Sequence, residues 1–391
     1  MKQRRLAFPV LAALLGLIVG LGAVELGLRV GGVVPESTMR MTYDPTGPFE
    51  GLTHPPFIGY RKKFEGDQVY FSCEQNECIE DMRVPFRTSS IRQRGLSLSV
   101  EKPEGVWRVL VLGDSFSVAD GVLEAEAWPQ VLGRALDEQK SVQRVQVINT
   151  SMQAYSTLDQ WHVLQYAIRF EPDVIVMGIY LNDAMPSTTN WSVRGVPRPK
   201  QSQYWTTYTK SSGPLGPWLP PLTAEERALT PDAGLDHQNF IGNVRSQQQY
   251  EQPLILMRWA DAISKSRKGR KDTVAAIRSW WGPWNKLGQL EFTWSIQQLG
   301  KVRTDRSIPI VAAIFPWMDG LQGDYPFHDI HSKIHSALDD AGIPYVDLIE
   351  PFQEEAAKGT QLWAHPTDHH PSAQMHAVAA EQLLSMVPAE D

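Results

Sequence analysis

The stretch "RVLVLGDSFSVADG", Arg108 to Gly121, decides how the rest of the chain is read. Apolar residues run from Val106 to Leu112, interrupted by Arg108, and stop at Gly113. Such a run predicts a strand buried on both faces, as in a parallel sheet. Ligands of open parallel sheets bind outside the carboxyl ends of the strands. Ser115 therefore stands on the binding rim, at the entrance to the next helix, where a helix N-terminus favours negative charge. Taken alone, Asp114-Ser115 also reads as an ordinary helix cap. The serine needs partners before it means chemistry.

Outward from that stretch the chain alternates. "AWPQVLGRALDEQ" predicts a helix, "VQRVQVIN" a strand, "STLDQWHVLQYAIRF" a helix and "PDVIVMGIY" a strand. After a gap come a helix around "WSIQQLGKVRT", the strand "IPIVAAIFP", the helix "HDIHSKIHSALDDAG", the strand "IPYVDLI" and the closing helix "PSAQMHAVAAEQLLSMV". Five apolar strands alternating with amphipathic helices predict an α/β domain over residues 105–390, three layers deep, with a mainly parallel sheet. Residues 184–293 break the rhythm and read as an insertion or lid. They hold more than half of the 13 tryptophans, including the packing or sugar-stacking cluster "WWGPW", and the basic run "KSRKGRKD", a solvated surface or an anion-binding one. Residues 30–104, rich in Pro, Gly and charge, read as an irregular or β-containing lead-in.

The serine's partners lie on the other rims. Asn182 and Asp183 follow the third strand in "GIYLNDAM", and the Asn182 amide is a donor able to face an oxyanion. In "HPTDHHPSAQMH", Asp368 precedes His370 by two residues. A serine hydroxyl needs a base to take its proton, and the histidine doing so needs a carboxylate to orient it. His369 is a minor alternative base, and His376 on the final helix reads as a core histidine. The rival reading gathers His365, His369, His370 and His376 round a metal, but no helical His-x-x-x-His pair with accompanying carboxylates stands among them, and no metal or cofactor is expected. An α/β-hydrolase would place Gly-x-Ser-x-Gly at mid-sheet and its acid far from its histidine. Here acid and base share one loop.

These blocks resemble those of the SGNH (GDSL-type) hydrolase superfamily, in chain order and over roughly residues 105–388. "GDSFS" resembles the nucleophile block and carries the catalytic serine onto Ser115. "INTSMQAYST" resembles the segment whose glycine N–H lines the oxyanion hole, with Ala154 standing at that glycine's place. "GIYLND" carries the oxyanion asparagine onto Asn182, and "DHHPSAQMH" carries the catalytic pair onto Asp368 and His370. The resemblance implies a flavodoxin-like sheet and a serine esterase working through an acyl-enzyme. Its oxyanion hole would be the N–H groups of Ser115 and Ala154 with the Asn182 amide, and Asp114 and Asp183 would support the turns. The alternatives are an O-acyltransferase using the same triad alongside a multi-pass acyltransferase partner, and a non-catalytic assembly protein keeping the fold. A Cβ at residue 154 restricts the backbone geometry a glycine would allow there.

The N-terminus suggests where this happens. Lys2, Arg4 and Arg5 precede Leu6–Val24, a run without a charge, and Glu25 and Arg29 close it. At about 1.5 Å per residue the run matches a hydrocarbon core of about 30 Å. The cationic leader should stay cytoplasmic, making residues 1–29 an inner-membrane anchor and putting the catalytic domain outside the cytoplasm. A cleaved signal peptide is the other reading. In that oxidising compartment Cys73 and Cys78, in the loop-like "FSCEQNEC", would form a small disulfide, the alternative being two free thiols. The 391 residues carry a net charge of −7, which argues against nucleic acid as a partner. The substrate expected is an O-acyl ester of envelope carbohydrate or lipid.

Overall fold

The computed structural model describes residues 16–17, 19–28, 30, 40–43, 49–51, 58–60, 63–74, 77–90, 93–139, 144–153, 155–185, 212–217, 220–221, 273–283, 285–366 and 368–388. Residues 16–17, 19–28 and 30 are helical. No helix among the described residues is long and apolar enough to cross a membrane. Residues 1–15, which hold most of the run read as an anchor, lie outside them, as do Ala154, the basic run and most of the insertion.

Five strands form one parallel sheet: β6 (Val106–Leu112), β7 (Arg144–Asn149), β8 (Val174–Ile179), β11 (Ile310–Ile314) and β12 (Tyr345–Asp347). Their order is β12-β11-β8-β6-β7, and every neighbouring pair is parallel. Every residue of β8 and β11 is buried, as continuous apolar runs require when both faces of a sheet are covered. Helix α2 (Trp128–Gln139) packs against α7 (Ala373–Leu384). Helix α3 (Thr157–Ala167) packs against α4 (Lys286–Asp305), which in turn meets α5 (His328–Asp340). The connection from β6 runs to β7 on one side and the next returns past β6 to β8 on the other, so the strand order reverses between β6 and β8. That crevice is where such sheets bind ligands.

Arg108, the one charge in β6, is fully buried. Its guanidinium donates to the carbonyls of Ser99, Val100, Glu101 and Phe170 at 2.6–2.9 Å, and its Nε to Gln146 Oε1 at 3.1 Å. A buried cation is tolerated because its donors are met. It ties the incoming chain and the end of α3 to the start of β6.

Two connections differ from the expectation. A further helix, α6 (Ile349–Ala357), follows β12, and a short hairpin of β13 (Trp363–His365) and β14 (Asp368–Pro371) carries the Asp368–His370 segment. The lead-in takes the β-containing form of its two readings: β4 (Glu65–Glu74) and β5 (Glu77–Arg87) make a long antiparallel hairpin flanked by β1 (Arg40–Tyr43), and β2 (Phe49–Gly51) pairs with β3 (Ile58–Tyr60), as β9 (Ser212–Gly213) does with β10 (Gly216–Pro217) further on. Cys73 and Cys78 sit within these strands, directly opposite each other, not in a loop. A shift in register falls between Tyr70 and Phe71, and such bulges re-aim side chains. Trp281 of the "WWGPW" cluster is packed in the core, its indole N–H donating to Leu181 O at 2.7 Å.

Candidate active site

Three residues after the last buried residue of β6, Ser115 opens the four-residue helix α1 (Ser115–Val118). The turn is held by Asp114, whose Oδ1 accepts from Phe116 N–H at 2.9 Å. Phe116 stacks on Tyr180 at a centroid distance of 3.9 Å and meets the His370 ring at 5.2 Å. Ser117 fills a slot that only glycines leave open: a Cβ on Gly113 or on Gly178 would lie 2.2 Å from its Oγ. The tight approach of β6 and β8 behind the serine thus depends on two missing side chains.

Asn182 and Asp183 follow β8 on the neighbouring rim. The Asn182 side chain lies close enough to Asp114 to favour its carboxylate, and its Oδ1 is buried without a partner among the described residues. Asp183 accepts from Gln160 Nε2 at 2.9 Å and Thr157 Oγ1 at 3.3 Å, so it clamps this rim to α3. On the third rim, His370 Nδ1 is hydrogen-bonded to Asp368 Oδ1, which also accepts from His370 N–H at 3.3 Å. That leaves Nε2 as the imidazole atom available to a hydroxyl. Among the described residues no hydrogen bond joins Ser115 Oγ to His370, an arrangement common in resting sites that tighten on binding substrate. Asn149 Nδ2 donates to Ser117 O at 2.8 Å, steadying α1 from the end of β7.

The other histidines disperse. His369 Nδ1 pairs with Asp319 Oδ2 at 2.8 Å, a bond that raises its pKa. His376 is buried in α7, where its Nδ1 takes Trp128 N–H at 3.3 Å; burial, with the charges of Arg94 and His370, pushes it down to about 3. His365 lies against the ring of Tyr70, 4.9 Å between centroids.

The surroundings of His370 are more acidic than the motifs imply. Tyr70, fully buried, donates its hydroxyl to Asp368 Oδ2 at 2.7 Å from β4, across 298 residues of sequence. Gln68, two residues earlier on the same strand face, donates to Asp120, which also accepts from Gln153 Nε2 at 2.8 and 3.1 Å. Arg94 donates to the carbonyls of Val118, Ala119 and Val122, holding the chain where Ala119 adopts a left-handed φ of 65°. Neither Tyr70 nor Gln68 carries a recognisable motif. Asp120 stands in the opening stretch itself, and only its burial beside His370 distinguishes it.

These contacts set the charges. Burial would push His370 down, but the charge and hydrogen bond of Asp368, with Asp120 and Asp114 beyond, raise it to about 9. Asp368 is held below the usual carboxylate range: burial opposes ionisation, but the His370 charge and the hydrogen bonds from His370 and Tyr70 outweigh it. Asp114 rises to about 6, chiefly through burial. Burial likewise raises Asp120, and lifts Asp183 well above the ordinary value with the Asp114 charge beside it. An imidazole held by an ionised acid on Nδ1, on the rim beside a serine at a helix start and an asparagine side chain, can take a proton from a hydroxyl and return it.

The sequence matches no protein-family model and no curated protein. The fold is similar to solved structures that include an acetyl xylan esterase (13% identity, 72% of this chain and 100% of the other, TM-score 0.39). Another is a lipolytic protein of the G-D-S-L family from Desulfitobacterium hafniense DCB-2 (11% identity, 72% and 99%, TM-score 0.36). A third is a two-domain esterase active on acetylated mannans (9% identity, 73% and 51%, TM-score 0.38).

Proposed function

We propose that this chain is a membrane-anchored, extracytoplasmic serine esterase acting on O-acyl esters of cell-envelope carbohydrate or lipid. The observation that carries the reading is the bonded pair Asp368–His370, engaged through Nδ1 and lying against the short helix that Ser115 opens. Ser115 Oγ attacks the ester carbonyl while His370 Nε2 takes its proton. The oxyanion is met by the N–H groups of Ser115 and Ala154 and by the Asn182 amide. His370 then protonates the leaving alcohol, and water, deprotonated by the same imidazole, releases the acid and restores Ser115. Asp114 holds the turn that carries Ser115, and Asp183 holds the neighbouring rim to α3. The cationic leader and the uncharged run Leu6–Val24 support an anchor in the inner membrane, with the domain outside. Cys73 and Cys78, opposed across the β4–β5 hairpin, would be bridged in that compartment.

The test is a fluorophosphonate probe with mass-spectrometric mapping, beside turnover of a chromogenic acetate ester. The wild type should label at Ser115. Ser115→Ala should neither label nor turn over ester beyond about one-thousandth of wild type, with an unchanged circular dichroism spectrum. An unlabelled wild type, or a labelled Ser115→Ala, overturns the proposal.

A further inference from the structure

Outside the serine site, one cluster of side chains converges on a single point. His331 and His335 lie one turn apart on α5, so they share a face of the helix. Asp347 ends β12, the edge strand beside it. His331 Nδ1 is 2.8 Å and His335 Nε2 2.7 Å from the same atom, Asp347 Oδ2. The three ligand atoms lie within 4.8 Å of one another.

Each of the three is also fixed from behind. Tyr325 oxygen lies 3.0 Å from His331 Nε2 and itself accepts from Trp317 N–H at 2.9 Å. Tyr345 stacks on His335 at 4.9 Å with an interplanar angle of 21°. Ile349 N–H donates to Asp347 Oδ1 at 3.0 Å, turning Oδ2 toward the imidazoles. Metal-ligating imidazoles and carboxylates are oriented by outer partners of this kind. His331 is buried, whereas His335 and Asp347 are partly exposed, so an ion has a way in.

We propose that His331 Nδ1, His335 Nε2 and Asp347 Oδ2 bind one divalent transition ion of the zinc class. Two imidazoles and one carboxylate suit zinc and its first-row neighbours; magnesium and calcium prefer oxygen alone. A tetrahedral ion at about 2.0–2.2 Å from each atom sets its ligands about 3.3 Å apart, so the carboxylate retreats by about half an ångström and the two imidazole nitrogens, within 4.8 Å of each other, close to that same spacing. On binding, His331 carries its proton on Nε2, facing the Tyr325 oxygen, and a water completes the shell. The ion would cross-link α5 to the edge of the sheet. The loop next to it, through Asp319, holds His369 beside the catalytic pair.

The test strips the full-length protein with chelator and titrates it with Zn²⁺ and with Co²⁺. The wild type should bind one equivalent, show the visible absorption of tetrahedral Co²⁺, and gain about 5 °C or more in Tm at a hundredfold excess over Kd. His335→Ala and Asp347→Asn should each weaken binding by at least about tenfold and lose the Tm gain. Both should match the metal-free wild type in circular dichroism, and His369→Ala should bind as wild type does. No binding by the wild type, or undiminished binding by folded His335→Ala, overturns the proposal.

Discussion

Replacing Tyr70 with phenylalanine removes one oxygen and tests whether the lead-in hairpin belongs to the chemistry. The lost bond runs 2.7 Å to Asp368 Oδ2 between buried partners, and its acceptor is ionised. A hydrogen bond to a charged group contributes about 1.5–3 kcal/mol. At roughly 2–4 °C per kcal/mol for a domain of this size, a loss of about 2 kcal/mol lowers Tm by about 4–8 °C. The electrostatic consequence has a definite sign. Without that donor Asp368 becomes more basic, which raises His370 further above about 9. The rising limb of kcat/KM against pH, which follows the neutral imidazole of the free enzyme, then moves to higher pH. Below the limb each unit of that shift costs tenfold at fixed pH, while the alkaline plateau changes little. Stability shifts with the same pair. The Asp368 contribution is present above the unfolded carboxylate value of about 3.9 and is lost as pH falls through the folded one. The His370 contribution is complete below about 6.5 and is lost as pH rises through about 9. The assay is the pH dependence of ester turnover together with thermal melts. A Tyr70→Phe protein with unchanged Tm and an unmoved limb would refute the link between β4 and the acid.

The other predictions concern the same rim. Asp120→Asn removes a buried charge that favours the His370 cation, so the rising limb of kcat/KM should move to lower pH; a limb that stays or moves up contradicts the assignment. Gly178→Ala would put a Cβ 2.2 Å from Ser117 Oγ and should cost about 1–3 kcal/mol by overpacking. Adding Ser117→Ala, which removes the clashing oxygen, should restore most of that in denaturant melts; additivity of the two losses would show the clash is elsewhere.

Much of this protein is legible locally. Val109 to Leu112, Val174 to Ile179 and Ile310 to Ile314 read as buried strands because a strand covered on both faces must be apolar at every position. From that follow the parallel sheet, the rim positions of Ser115 and Asn182, and the pairing of Asp368 with His370, two residues apart and so neighbours in any extended segment. Residues such as Tyr70, Gln68 and Asp347 carry no such signal. Tyr70 reaches Asp368 only because an antiparallel hairpin, bulged at that residue, lays β4 against the third rim. His331 and His335 advertise their helical spacing, but their carboxylate arrives on another strand. The charge on His370 is only partly local: the field of Asp368 comes from two residues away, but desolvation and the fields of Asp120 and Asp114 depend on distances through space. Periodicity in a chain records which face is buried; what each buried group meets there is decided when remote segments pack.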